Sequence, residues 1–256
     1  MNTANKARCV SVLMSVYNGE KYLRESLTSI YNQAFQDFEF IIIDDCSSDN
    51  TPRIIREYKD SRTVIYRNLS NMGSTKSLNI GLGLCKGRYV ARMDADDISH
   101  PERLGKQVKF LDSHKACLVV GVWARVIDEN GKQYDTFKYP QNFSEIKKVL
   151  MTLNPIVHGA IMARRGAIIR CGGYNEKFIY AQDYDLWLRL SELGQLQNIP
   201  EELYSLRFWP GCASVAHVKT QNEYVAMARG DAILRRKQHL KQFIKKIFWE
   251  LHYSYT

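Results

Sequence analysis

Apolar positions in the first hundred residues fall into short, nearly unbroken runs, and between those runs they recur at helical spacing. Val10 to Tyr17 and Phe38 to Ile43 are stretches of strand length, apolar enough to be buried on both faces. Between them, Leu23, Leu27, Ile30 and Tyr31 line one side of a segment from about Glu20 to Gln33, which predicts an amphipathic helix. The alternation continues through a helix Thr51 to Tyr58, a short strand Val64 to Tyr66 and a helix from Ser74 to about Leu84. Lys86-Gly87 stops that helix before a strand from Tyr89 to Met93. Strand and helix in regular turn predict βαβ units on a mostly parallel central sheet flanked by helices. Right-handed crossovers then bring the strand ends to one edge.

Near residue 100 the pattern changes. Pro101 to His114 reads as a helix, Leu118 to Val122 and Arg125 to Ile127 as strands, and Asp128 to Gly131 as a turn. Beyond Tyr139-Pro140 the expectation is a helix, a strand Val157 to Met162, another helix, and a segment Ala181 to Leu190 that begins acidic and turns apolar. Such a segment suits a helix whose N-terminus faces a cleft. From about residue 216 a basic helical tail is expected.

Composition narrows the class only slightly. With 256 residues, 45% of them hydrophobic and 25% charged, the chain can bury a sizeable core and is not disordered. Its net charge of +9 admits nucleic acid, an anionic membrane surface or phosphorylated substrates as partners. The six cysteines are dispersed, without C-x-x-C pairs, and read as free thiols of a reducing compartment rather than zinc ligands. No apolar run approaches the roughly 18 residues of a spanning helix, and Met1 to Lys6 lacks a signal-peptide core; a cytoplasmic location is expected.

The candidate chemistry sits at strand ends. Tyr89 to Met93 runs into Asp94, Asp96 and Asp97, and the second strand runs into Asp44 and Asp45. Along an extended chain Asp94 and Asp96 point to one side, so that two hard oxygen ligands can share a divalent cation. The alternatives are a solvated turn or a helix cap. An EF-hand loop is excluded, because the twelfth position from Asp94 is Gly105. Two acidic edges on one crevice are costly unless a cation or hydrogen-bond donors offset them.

These pieces, taken with others in order, resemble the family 2 glycosyltransferases of bacterial cell-surface polysaccharide and lipopolysaccharide synthesis. The matching segments are Val12 to Asn18, Ile42 to Ser47, Asn71 to Gly73, Lys86 to Asp97, Pro101 to Arg103, Asn154 to His158, Gly172 to Tyr174 and Gln182 to Arg189. The resemblance implies a GT-A fold over residues 1–215, with a nucleotide-sugar half at about 9–100, an acceptor half at about 101–215, and the basic amphipathic tail at 216–256. It implies an inverting hexosyl transfer from a nucleotide sugar, UDP-linked by expectation, to a hydroxyl of a glycan or lipid-linked acceptor. Ser15, Tyr17, Asn18, Asp45, Gly73, Lys76 and Asp94 would border the donor. Asp96, with Asp94, would ligate Mn²⁺ or Mg²⁺, and Asp183 would be the general base, with His158, Gln182 and Trp209 on the acceptor side. Tyr17 offers a stacking face and Asp45 an acceptor for a base N–H. Lys76 and Arg103 are candidates for phosphate or acidic-network contacts. The sequence departs from the family pattern in two places: Gln182 stands where Glu is usual before the base, and Phe208-Trp209-Pro210 comes after Arg207 where a His is frequent.

Much of the charge excess lies between Lys219 and Lys246. Leu240, Phe243, Ile244, Ile247, Phe248 and Leu251 form one apolar face there, with Lys241, Lys245 and Lys246 off it and Trp249 and Tyr253 at its boundary. The tail either packs on the domain or meets an anionic membrane through residues 219–251, which would place the protein peripherally on the inner face of the cytoplasmic membrane. Other classes fit less well. A sugar nucleotidyltransferase would want a Gly-rich basic loop near the N-terminus, a dinucleotide oxidoreductase would want G-x-G-x-x-G, and no nucleic-acid module precedes the basic tail. A non-catalytic nucleotide-sugar-binding protein is the remaining alternative.

Overall fold

The computed structural model describes residues 8–253. One sheet runs through the whole domain. Strand β1 (Val10–Val16) leads through helix α1 (Leu23–Tyr31) to β2 (Phe38–Asp44), then through α2 (Thr51–Glu57) to β3 (Thr63–Arg67). Helix α3 (Ser74–Leu84) returns the chain to β4 (Tyr89–Arg92). A two-residue β5 (Ile98–Ser99), α4 (Arg103–Ser113), a long β6 (Cys117–Ile127), β7 (Gln133–Phe137) and α5 (Phe143–Val149) come next. The rest comprises β8 (Met162–Arg164), α6 (Arg165–Arg170), α7 (Gln182–Leu190), β9 (Gln195–Arg207), the short α8 (Ala213–Ala216) and a 36-residue α9 (Val218–Tyr253).

The strand order is β3-β2-β1-β4-β8-β6-β9-β5, with β7 on β6. Strands β1 to β4 pair in parallel, and β6 with β9 likewise, so parallel pairs make up most of the ladder; β8 is antiparallel to both its neighbours. Register sets the edge. Val16 lies opposite Asp44, Asp44 opposite Arg67, and Leu13 opposite Arg92, so the chain leaves β1, β2 and β4 at the same end of the sheet.

The apolar runs are continuous because both faces are covered. Val12, Met14 and Val16 of β1, with Phe40 and Ile42 of β2, join Leu23, Leu27 and Ile30 of α1 and Leu104 and Leu111 of α4 in one core. The intervening Leu13, Ile41 and Ile43 join Leu78 and Leu82 of α3, Ile168 of α6 and Leu186 and Trp187 of α7 in the other. Period-two alternation along each strand thus feeds two helical layers.

Several expectations are corrected. Residues 118–122 and 125–127 belong to one strand, β6, because Trp123 and Ala124 keep pairing with β9 across a register shift. The strand expected at Val157 to Met162 starts only at Met162; His158–Ala160 is a 3₁₀ turn. Strand β9 has no counterpart among the expected elements. Its polar positions and Pro200 hide it from a hydrophobic count, and its pairing with β6 is non-local.

Candidate active site

The loops after β1 and β2 are stitched into one rim. The Asn18 N–H donates to Ser47 Oγ at 3.0 Å, Asn18 Oδ1 accepts from the Ser48 N–H at 2.8 Å, and the Gly19 N–H donates to Thr51 Oγ1 at 2.8 Å. Both loops turn on left-handed residues, Asn18 at φ 49° and Cys46 at φ 64°. Ser15 is half-buried on β1, and Tyr17 is 51% exposed above it, its ring free to stack. Asp45 is buried and already serves the next loop. It accepts from Asn68 Nδ2 at 2.6 Å and from the N–H groups of Met72 and Gly73, both at 2.8 Å. Gly73 takes φ 84° there, a conformation that favours glycine, and starts α3, on which Lys76 is exposed. Asp44 is offset by Arg67 at 3.0 Å and by the Ser47 N–H at 2.9 Å, so the acidic edge of β2 is neutralised from within.

The carboxylates after β4 are not on an extended chain. The strand ends at Arg92 and the chain turns at Ala95-Asp96, which corrects the expectation that simple alternation aims Asp94 and Asp96. Instead, contacts from β9 shape the turn. Arg207 is buried; its N–H donates to Asp97 Oδ1 at 2.8 Å, its Nε donates to the Asp96 carbonyl at 2.8 Å, and its guanidinium pairs with Glu25 at 2.6 Å. Trp209 Nε1 donates to Asp96 Oδ2 at 2.9 Å, and the Trp209 ring packs edge-on to Tyr22 at 5.4 Å. Asp94 pairs with Arg92, which is itself buried, and its N–H donates to the Tyr204 hydroxyl at 3.3 Å. Burial pushes the Asp96 carboxyl up, and the neighbouring Asp94 charge pushes the same way. Asp97, fully enclosed and beside both, is pushed well up for the same reasons.

Arg103 is not a surface cation. It is fully buried beneath the turn, donates to the carbonyls of Arg92 at 3.1 Å and Gly159 at 2.8 Å, and lies over the Tyr204 ring. Burial lowers its pKa to about 10.

The facing wall comes from the acceptor half. Asp183 lies in the first turn of α7, where its carboxylate accepts from Asn154 Nδ2 at 2.7 Å. Ala181 precedes that helix at φ 54°. Three non-glycine residues adopt positive φ among the described residues, and all three lie in these loops, a strain pattern typical of functional sites. His158 shares a hydrogen bond with the Tyr174 hydroxyl at 2.8 Å, and its ring lies 6.1 Å from that of Trp187. Burial, reinforced by the Arg92 charge, lowers the His158 pKa to about 4, so the ring is neutral. The charges of Asp183 and Asp94 both act on that imidazole, so both carboxylates lie near His158.

The donor set fits a hard divalent cation. Among the described residues no group of three or more His, Cys, Asp or Glu side chains could hold a metal. Two carboxylates, Asp94 at 32% exposure and the half-buried Asp96, suit an ion that takes its remaining oxygens from substrate phosphates. A cation would also relieve the repulsion that raises Asp96. Sequence reasoning does not single out Arg92, Tyr204 or Asn154 as site groups, and it marks Arg207 only as the neighbour of Phe208 and Trp209. Their burial and partners are set by non-local contacts, so no local signal in the sequence marks them.

The description "Glycosyl transferase family 2" matches residues 11–173. A protein of Haemophilus influenzae described as an uncharacterized glycosyltransferase is 37% identical over 226 residues, covering 84% of this chain and 70% of that protein. The O-antigen biosynthesis glycosyltransferase WbnJ of Escherichia coli is 37% identical over 199 residues, 74% of each chain. Among solved structures, S. aureus TarS in complex with UDP-GlcNAc superposes with a TM-score of 0.73 at 22% identity, covering 88% of this chain and 66% of that one. The mannosyltransferase PcManGT of Pyrobaculum calidifontis, with GDP-Man and Mn²⁺, superposes at 0.65 with 18% identity, covering 90% of this chain and 65% of that one. The chain thus spans about two thirds of the length of either structure, and at these identities the likeness is one of fold. The alternating α/β sheet, the acidic turn at its edge and the extent of the match together make this chain a glycosyltransferase, a member of glycosyl transferase family 2 with a GT-A fold.

Proposed function

We propose that this protein is a metal-dependent inverting glycosyltransferase that moves a hexose from a UDP-sugar to a hydroxyl of a glycan or lipid-linked acceptor in cell-surface polysaccharide assembly. The observation that supports this reading is the convergence of Asp183, at the head of α7, and Asp94, after β4, on His158, whose ring both charges reach. The name of WbnJ supports the polysaccharide setting, and the complex of TarS with UDP-GlcNAc supports a UDP-linked donor. PcManGT with Mn²⁺ supports a divalent cofactor.

Each residue then has a task. Tyr17 and Ser15 border the base, the rim built by Asn18 and Asp45 shapes the donor pocket, and Gly73 and Lys76 lie toward the phosphates. Asp96, with Asp94, would hold Mn²⁺ or Mg²⁺, which supplies Lewis-acid neutralisation of the departing diphosphate. Asp183 takes the proton of the acceptor hydroxyl as that oxygen attacks the anomeric carbon from the face opposite the leaving group. One carboxylate suffices for inversion, because the leaving group is a diphosphate and needs no protein acid. Asn154 orients Asp183 through its 2.7 Å hydrogen bond. His158 and Gln182 line the acceptor side; Trp209, on Asp96, joins that side to the metal end.

The distal part of α9 is proposed to contact an anionic membrane at the inner face of the cytoplasmic membrane, near a lipid-linked acceptor. Among the described residues no helix is long and apolar enough to cross a membrane. The test of the donor reading is a thermal-shift screen of nucleotide sugars with and without Mn²⁺, since bound donor raises apparent stability with its affinity. UDP-sugars should stabilise in a Mn²⁺-dependent manner that Asp96→Ala abolishes. Stabilisation by no nucleotide sugar, or stabilisation indifferent to Mn²⁺ and to Asp96→Ala, would refute it.

A further inference from the structure

The two segments that meet at the Asp183–Asn154 hydrogen bond are also joined from outside, by the C-terminal helix. Ala228 and Ala232 of α9 are fully buried, which lets its backbone approach the domain closely. Between them in sequence, Arg229 donates from Nε to the Tyr184 hydroxyl at 3.0 Å and from Nη2 to the Thr152 carbonyl. Tyr184 adjoins Asp183 on α7, and Thr152 is two residues before Asn154. The Tyr184 hydroxyl in turn donates to the Leu150 carbonyl at 2.5 Å, so two side chains, Tyr184 and Arg229, bridge α7 to the 150–154 segment. Further along the helix, Arg235 pairs with Glu192 at 3.2 Å and lies 4.0 Å from Asp185, whose other oxygen is held by Arg189 at 2.7 Å. A planar guanidinium with donors on two edges is suited to hold two backbone segments at fixed separation.

We propose that Arg229 is a positioning residue: from the C-terminal helix it sets the distance between α7 and the 150–154 segment, and so the geometry of the Asp183–Asn154 pair. This rests on Asp183 being the base. Through this link the state of α9 reaches the proposed base.

The test reads the pair directly, with no substrate needed. In a ¹⁵N-labelled protein, the Asn154 side-chain amide is assigned by its loss in Asn154→Ala, and its shift and hydrogen exchange are followed. Arg229→Gln is expected to move that resonance and speed its exchange by about tenfold or more. Arg229→Lys, which can satisfy only one of the two acceptors, should give an intermediate shift, and Lys237→Ala on the exposed part of α9 should leave the resonance in place. Tyr184→Phe removes the bridging hydroxyl while keeping the ring and should act like Arg229→Gln; it carries the test if Arg229→Gln does not fold. An unmoved Asn154 resonance in a folded Arg229→Gln or Tyr184→Phe protein, with only the thermal midpoint lowered, overturns the proposal. The base assignment fails separately, through near-normal transfer by Asp183→Asn.

Discussion

At the scale of single residues, the proposed chemistry is divided between two carboxylate sites with different surroundings. Asp183 is held by one amide donor, Asn154, at a helix start. Replacing it with Asn keeps that shape but removes the proton acceptor, so Asp183→Asn should retain donor binding and lose roughly two to four decades of transfer. His158 offers a second handle. Its folded pKa of about 4 lies below the ordinary value of 6.5, so between those values the unfolded chain binds the extra proton. Its influence on stability is therefore absent above pH 6.5 and grows as pH falls toward 4, at up to about 1.4 kcal/mol per pH unit. Urea midpoints across that range should fall less steeply for His158→Gln than for the parent protein. Asp94 and Asp96 stand out in the sequence because carboxylates at the end of an apolar strand carry a local signature, whereas Asp183 and His158 are marked by the family resemblance. Arg92 and Arg207 do not stand out, and Arg103 reads as a candidate for phosphate or acidic-network contacts without its burial being visible. A buried Arg looks like a surface Arg until its partners, up to 182 positions distant, are known.

At the scale of elements, the site depends on strands that end in register. The parallel pairing of β1 with β2 and β4 places three loops at one edge, and that pairing needs close backbone approach where β4 begins. A Cβ on Gly87 would come within 2.5 Å of the Ser11 backbone nitrogen and 2.7 Å of the Val10 carbonyl carbon. Gly87→Ala should therefore shift β4 against β1 and cost about 1–3 kcal/mol in urea unfolding. Strand β4 with β1 and β2 was legible, since a doubly covered parallel strand announces itself as an apolar run. The acidic turn reads as extended in the sequence, and β9, which shapes it, does not stand out there at all. In both cases the deciding contacts are non-local: Arg207 and Trp209 come from β9 and the segment just after it.

At the scale of the whole molecule, α9 packs on the domain along one part and is exposed along another. Its first part packs on the domain, with Ala228 and Ala232 buried and Tyr224 against Phe178 and Tyr180. Beyond Arg235 every described side chain is exposed, including Leu240 at 59%, Phe243 at 61% and Ile244 at 43%, beside Lys237, Lys241 and Lys245. The side chains of Lys246, Ile247, Phe248, Trp249, Leu251 and Tyr253 lie outside the described residues. An apolar strip with basic neighbours should bind anionic vesicles. Sedimentation with phosphatidylglycerol vesicles should retain the protein at low salt and release it as salt rises. Replacing Lys237, Lys241 and Lys245 with Glu should abolish retention, whereas equal retention by neutral vesicles would count against the proposed membrane contact. By itself the sequence determined the α/β class, the family and the carboxylates that could do chemistry, because strand periodicity, turn residues and motif order are written locally along the chain. Only the tertiary structure decided which side chains hold those carboxylates, which arginines are buried beside them and which part of the tail is left exposed. Those outcomes depend on pairs of residues far apart in sequence, whose burial and charge compensation exist only once the sheet has closed.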